Sequence, residues 1–188
     1  MFLQNKKVLV TSAVAVLLLL VIFGVRGCGV RQSSPKAVVE SLIKSYAKGK
    51  EKDSLKCFGI KNPTEDLKEE ITASIQYFEA HGAKSVNIEQ CGVLSEGKSY
   101  IYTYIIYKFK LENGQEYPCI STYMVNKVKN KYCIVPTASV TAEMSQQAVK
   151  DYAEFMKTDL YKEYVRDYET FTKKNPGYEE KIAGKMSL

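Results

Sequence analysis

Tryptophan is absent from the 188 residues, histidine occurs once, and only three of the basic residues are arginine. With a single histidine and cysteines scattered one by one, no ligand set with zinc-site spacing can be assembled, so no metal is expected. His81 stands in Ala-His-Gly with no nucleophile motif beside it, which leaves no Ser/His/Asp relay to build. Arg26, Arg31 and Arg166 are too few to supply the guanidinium forks that grip phosphate chains. Five cysteines are too sparse for a disulfide-knit miniprotein. No Walker loop, G-x-G-x-x-G or C-x-x-C occurs, and no internal repeat or low-complexity segment, so no cofactor is expected. What is present is the material of one globular domain with attachments: 45% hydrophobic residues, 26% charged and 14 tyrosines. Such a balance excludes a disordered or collagen-like chain.

Val8 to Val25 form an unbroken run of 18 residues, VLVTSAVAVLLLLVIFGV, bounded by Lys6, Lys7 and Arg26. As a helix the run spans roughly 27 Å, close to the hydrocarbon thickness of a bilayer. It therefore reads as a single transmembrane anchor, with residues 1–7 cytoplasmic, 26–34 a linker and the remainder outside the cell membrane. A cleaved secretory signal has the same order of features, but the run is long for one and Val25-Arg26-Gly27 is no A-x-A site. Val25-Arg26-Gly27-Cys28 also looks like a degenerate bacterial lipobox, with Cys28 as the lipidation candidate and Arg26 out of pattern. Lipoprotein or secreted forms stay open as alternatives.

The net charge of +6 is not a nucleic-acid footprint, because residues 35–188 hold 23 bases against all 21 acids. No clustered lysines interleave with aromatics along one helix, so nucleic acid is not expected as a partner.

Ser34-Pro35 gives an N-cap and a proline at the first helical position, and Val39, Leu42, Ile43 and Tyr46 follow helical spacing to Gly49. A second short helix runs from Asp53 to the stop at Gly59, and a third from Asn62-Pro63-Thr64 to Gly82. From Lys84 the period changes to two, with strands expected at 84–94, 98–112, 115–128 and 131–137. Asn113-Gly114 is the strongest turn signal, a two-residue hairpin; Glu96-Gly97 is weaker, and Lys129-Asn130 weaker still. The fold class is α+β: an N-terminal transmembrane helix, then three short helices on a four-stranded antiparallel meander, residues 35–137, with a C-terminal helical extension, residues 138–188.

Taken literally, those turns put Val86, Ile88, Ile101, Ile105, Tyr107, Phe109, Ile120, Met124, Cys133 and Val135 on one face, which should receive the helices. Cys91, Val93, Tyr100, Tyr102, Tyr104, Ile106, Tyr117, Tyr123, Val125 and Ile134 fall on the other, too apolar to stay wholly wet. The tail carries a stripe of Val149, Tyr152, Met156, Leu160, Tyr164, Tyr168 and Phe171 up to Asn175-Pro176-Gly177. It either covers the tyrosine face or presents, through Tyr100, Tyr102, Tyr152, Met156, Tyr164 and Tyr168, a surface for a protein partner or a homodimer.

The segment SPKAVVESLIKSYAKGKEKDSLKCFG, residues 34–59, followed by the meander, resembles small exported bacterial domains of cystatin-like or nuclear-transport-factor-like fold. The likeness is one of pattern over residues 34–137. Several such domains have no known function. Others are similar to extracytoplasmic scaffolds of conjugation and type IV secretion machines. A third group, resembling ketosteroid isomerases and dehydratases, uses an acid and tyrosines inside the cone, or would hold a small ligand there. The register above sets Glu89 beside Tyr104 and Tyr104 beside Tyr123, the one constellation with catalytic flavour. The plainer reading is that Glu89 faces solvent or accepts a tyrosine hydrogen bond. Outside the cell, Cys57 and Cys133 are the pair that can be bridged, against free buried thiols.

The leading expectation is a membrane-tethered, non-catalytic interaction domain of a bacterial cell envelope.

Overall fold

The structure, a computed structural model, describes residues 29–186. Three helices come first: α1 (Pro35–Tyr46), α2 (Glu51–Phe58) and α3 (Glu65–Ala80). Each begins or ends where local chemistry dictates. The Ser34 side chain accepts a hydrogen bond from the Ala37 N–H, Thr64 does the same for Leu67, and Gly59 closes α2 in the left-handed region at φ 69°. The antiparallel sheet follows in the order β1 (Ser85–Glu96), β2 (Ile101–Lys110), β3 (Glu116–Val128), β4 (Lys131–Ile134). It is the meander expected from the turns.

The register differs from that expectation at the strongest turn. Lys110 pairs with Glu116, and the Leu111 N–H donates to the Gln115 carbonyl, so three residues bridge the hairpin with Gly114 at φ 80°. Asn113-Gly114 therefore serves a type I turn closed by a left-handed glycine instead of a two-residue turn. One residue of slip turns every side chain of β3 over. Tyr117, Cys119, Tyr123 and Val125 consequently lie under the helices with Ile105, Tyr107 and Phe109, while Ile120 and Met124 belong to the opposite face. The Glu96-Gly97 turn widens too, with Glu96 opposite Ile101 and two irregularities in β1. Lys129-Asn130 keeps its two-residue register, Val128 opposite Lys131.

The helix-side core is one cluster in which Val38, Val39, Leu42, Ile43, Ile71, Ile105, Phe109 and Val125 are fully buried. Burying side chains of this kind contributes about 1.5–3 kcal/mol each before chain entropy is counted.

The tail is α4 (Ala142–Phe155), α5 (Asp159–Lys174) and α6 (Tyr178–Met186). The single stripe breaks at Met156, because the Thr158 side chain caps a new helix through the Tyr161 N–H. α4 and the start of α5 cover the outer face of the sheet. Tyr100, Tyr102, Met124 and Ala148 pack there with Tyr152, and Tyr104, Ile106 and Phe155 with Leu160, Tyr161 and Tyr164. α5 then passes beside Pro118 and brings Tyr168 and Phe171 into the helix-side core. α6 docks on the end of α3, where the Lys185 ammonium donates to the Ala80 carbonyl. The extension is thus wrapped around the sheet.

Most of the surface expected to meet a partner is spent inside the chain. Tyr100 and Tyr102 are buried, Tyr152, Tyr164 and Tyr168 are partly covered, and Met156 alone of the six is exposed. The anchor at residues 8–25 and Cys28 lie outside the described residues. Among the described residues, no helix is long and apolar enough to cross a membrane.

Candidate functional site

A cleft of about 290 Å³ opens between α1, α3 and the helix side of β2 and β3. α1 brings Tyr46, the last residue of its buried stripe, and α3 brings Ser74 and Tyr77 one turn apart. Tyr107 stands on β2, and Ser121 and Tyr123 alternate with outward-facing Thr122 on β3. The flipped β3 register is what puts these last two here.

Burial pushes all four phenols above the ordinary tyrosine range, with the nearby Glu70 carboxylate adding to the effect on Tyr46 and Tyr123. They therefore stay protonated at any ordinary pH. The Tyr107 and Ser121 hydroxyls lie 3.4 Å apart, and the Ser74 hydroxyl donates to the Glu70 carbonyl at 2.8 Å. The cleft thus offers neutral donors and acceptors on apolar rings. Its lining contains no histidine and no carboxylate.

Behind Tyr77 and Phe109 lies His81, which ends α3 and is buried. Its Nδ1 is 2.8 Å from the Tyr178 hydroxyl and its Nε2 has no hydrogen-bond partner. Desolvation lowers its pKa to about 4, so the ring is neutral, not the partly charged cap that its place at a helix end suggests. Beside it the Tyr117 hydroxyl donates to Glu179 at 2.6 Å and Tyr168 to the same oxygen at 3.0 Å. These bonds fasten α6.

Glu89, Tyr104 and Tyr123 are not brought together. Glu89 is exposed on β1 and pairs with Lys108 at 3.0 Å, which also holds Asp167 at 2.7 Å. The 260 Å³ hollow beside Glu89 is lined by Lys108, Leu160, Tyr164 and Asp167, without either tyrosine. Tyr104 stacks on Phe155 under α4, opposite Gly92, while Tyr123 lies across the sheet in the cleft. The constellation depended on the two-residue turns and dissolves with them.

Cys57 and Cys133 are free, as are Cys91 and Cys119, and all four are buried. The Cys57 thiol donates to the Asp53 carbonyl of its own helix at 3.4 Å, and burial, then Asp53 and Cys133, push it up to about 12. Cys133 accepts from the Gln32 amide at 3.5 Å. The alternative of buried thiols is the one seen, with the Cys57 and Cys133 sulfurs each engaged by a partner other than one another. Among the described residues, no group of three or more His, Cys, Asp or Glu is placed to hold a metal ion.

Tyr46, Ser74, Tyr77, Tyr107 and Ser121 were not marked by any motif. Helical spacing does put Tyr46 on the apolar stripe of α1 and strand alternation puts Tyr107 on the helix-receiving face, but the β3 pair needed the correct hairpin length.

No family model matches the chain, and no curated protein matches it. Among solved structures, the chain is similar to a Campylobacter jejuni protein described as an NTF2-like transpeptidase, at 16% identity and a TM-score of 0.37. The likeness covers 54% of this chain and 97% of that one. At this level it carries nothing further, and the α+β architecture rests on its own helices and sheet register.

Proposed function

We propose that this chain is a membrane-tethered, extracytoplasmic binding domain that performs no catalysis, and that the tyrosine cleft is its binding site. One observation carries the reading: four phenols and two serine hydroxyls converge on a 290 Å³ space with no titrating acid or base in its wall. Such a site suits a small uncharged ligand with a flat apolar body and a few hydrogen-bonding groups. Proton transfer at neutral pH has no agent there, since every phenol is held above its usual range. The tether is residues 8–25, and the body faces outward as in the exported domains its opening resembles.

The test is a panel of neutral aromatic alcohols and amides added to the detergent-extracted full chain and followed by ligand-observed NMR. Binders are expected, and Ser121→Phe, which fills the cleft, should abolish their signals while the protein keeps its fold by circular dichroism. Binding that survives Ser121→Phe unchanged, or no binder at all, defeats the cleft assignment. Intact mass of the membrane-extracted protein decides separately between uncut anchor, acylated Cys28 and cleaved signal.

A further inference from the structure

Residues 29–34 are not a loose linker. The Arg31 N–H donates to Ser41 Oγ at 3.0 Å, the Gln32 amide to the Lys56 carbonyl at 3.0 Å, and the Tyr132 N–H to the Gln32 carbonyl at 3.0 Å. The chain is stitched to α1, α2 and β4 from its first described residues onward. Gly29 is four residues beyond Val25, so a fully extended chain places it at most roughly 14 Å from the end of the apolar run. The polar headgroup layer on one side of a bilayer is itself about 5–8 Å deep. A body attached by so short a strap sits against that layer.

The part it turns toward the strap is basic. Residues 29–58 hold seven bases against three acids, while residues 59–188 hold 17 against 18. The whole positive excess of the body is therefore local. Four of those seven bases, Arg31, Lys44, Lys48 and Lys50, line a cavity of about 340 Å³ together with Asp53 and the backbone at Gly29 and Val30. Two of the segment's three acids, Glu40 and Asp53, are already engaged, and the third, Glu51, is exposed at the start of α2. Asp53 is paired with Lys56 at 2.7 Å, and Glu40 is shared by Arg31 at 2.8 Å, Lys44 at 3.7 Å and Lys36 at 3.9 Å. Among the described residues no carboxylate oxygen lies within 4 Å of the Lys48 or Lys50 ammonium, although Lys50 is near enough to help Lys56 hold the Asp53 carboxyl below its usual range.

We propose that this cavity seats the phosphate of an anionic phospholipid in the bilayer that holds residues 8–25, and that the contact fixes how the domain stands on the membrane. The inference rests on the anchor part of the proposed function and is independent of the tyrosine cleft. Lysines act here as point charges within a screening length of the surface, where each adds to the attraction. Lys48 and Lys50, the two lysines of the lining outside any ion pair, supply the selectivity for an anionic over a zwitterionic headgroup.

The full chain is reconstituted in nanodiscs of phosphatidylcholine alone or mixed with phosphatidylglycerol, and amide hydrogen exchange is compared. Exchange across residues 29–56 should slow by roughly tenfold in the anionic discs, the size expected for more than one surface charge. Lys44→Glu/Lys48→Glu/Lys50→Glu should erase that difference with β2 protection unchanged. Lys150→Glu/Lys157→Glu/Lys162→Glu, with the same change in net charge, should keep it. Equal exchange in both lipids, or equal loss in both triple variants, overturns the proposal while leaving the anchor intact. Protection by millimolar inorganic phosphate in neutral discs, with none added by anionic lipid, overturns the lipid as occupant. Failure of the chain to enter the discs defeats the anchor reading and this one with it.

Discussion

The two faces of the sheet are built from different chemistry and closed to different degrees. Under α1, α2 and α3, aliphatic side chains and Phe109 interlock in one cluster, and every fully buried side chain of the described residues belongs to this side. Under α4 and α5 the contacts split into two small clusters whose members keep between 4% and 9% of their surface, beneath a helix that leaves Val149 71% exposed. Branched aliphatics fill space and exclude water, whereas a tyrosine buries its ring and keeps its hydroxyl near solvent. One face is therefore a core and the other a covered surface. The open space follows the same division, since the cleft forms where tyrosines intrude on the core side.

The largest effect expected from this difference comes from cutting the same ring on either face. Phe109→Ala, fully buried, should cost about 4 kcal/mol, and Phe155→Ala beneath the looser roof nearer 3, because Tyr152 and Tyr161 can slump into the gap. Urea denaturation with unchanged slope measures both. Equal costs would erase the distinction between core and covered surface.

Next is the buried imidazole on the core side. His81 titrates near 4 in the folded chain against about 6.5 unfolded, so the unfolded state binds more protons between those values. Stability from this group is whole above pH 6.5 and is lost as pH falls toward 4, by up to about 3 kcal/mol. Urea midpoints at pH 7, 5.5 and 4.5 should show the slope, and His81→Gln should flatten it relative to the parent. A parallel slope in the variant would assign the acid sensitivity to carboxylates instead.

The smallest effect lies on the outer face. Lys108→Met removes both its ion pairs, to Glu89 and Asp167, and should change global stability by at most about 1 kcal/mol. Faster hydrogen exchange confined to α5 would sharpen the comparison; loss of protection in β2 would blur it.

How much of this was legible from residue order depended on which local rule governed each element. Ser34-Pro35, Gly59 and Thr64 mark helix ends by their own side chains or backbone freedom, and those helices stand where expected. The sheet order was readable for the same reason, since each turn signal lies between alternating runs. Register was not, because Asn-Gly serves both a two-residue turn and a longer one, and strand contacts with α1 and α3 decided between them. Lys129-Asn130, a poorer signal, kept its register because Val125 and Ile134 are both buried and fix the short β4 pairing. The cleft was hidden behind that slip: Ser121 and Tyr123 change sides with it. The break at Thr158 was hidden differently, as a stripe of apolar residues gives no sign of a cap inside it.

Among the described residues no strand lies beyond β1, and twelve residues long it offers more free backbone than four-residue β4 at the other margin. Its pairing slips between Ile88 and Gln90 and again between Val93 and Ser95, with Glu89 and Glu96 near the kinks. A margin so bent and acidic is a poor template for a neighbouring molecule's extended segment. The sheet is thereby guarded against growing by accretion.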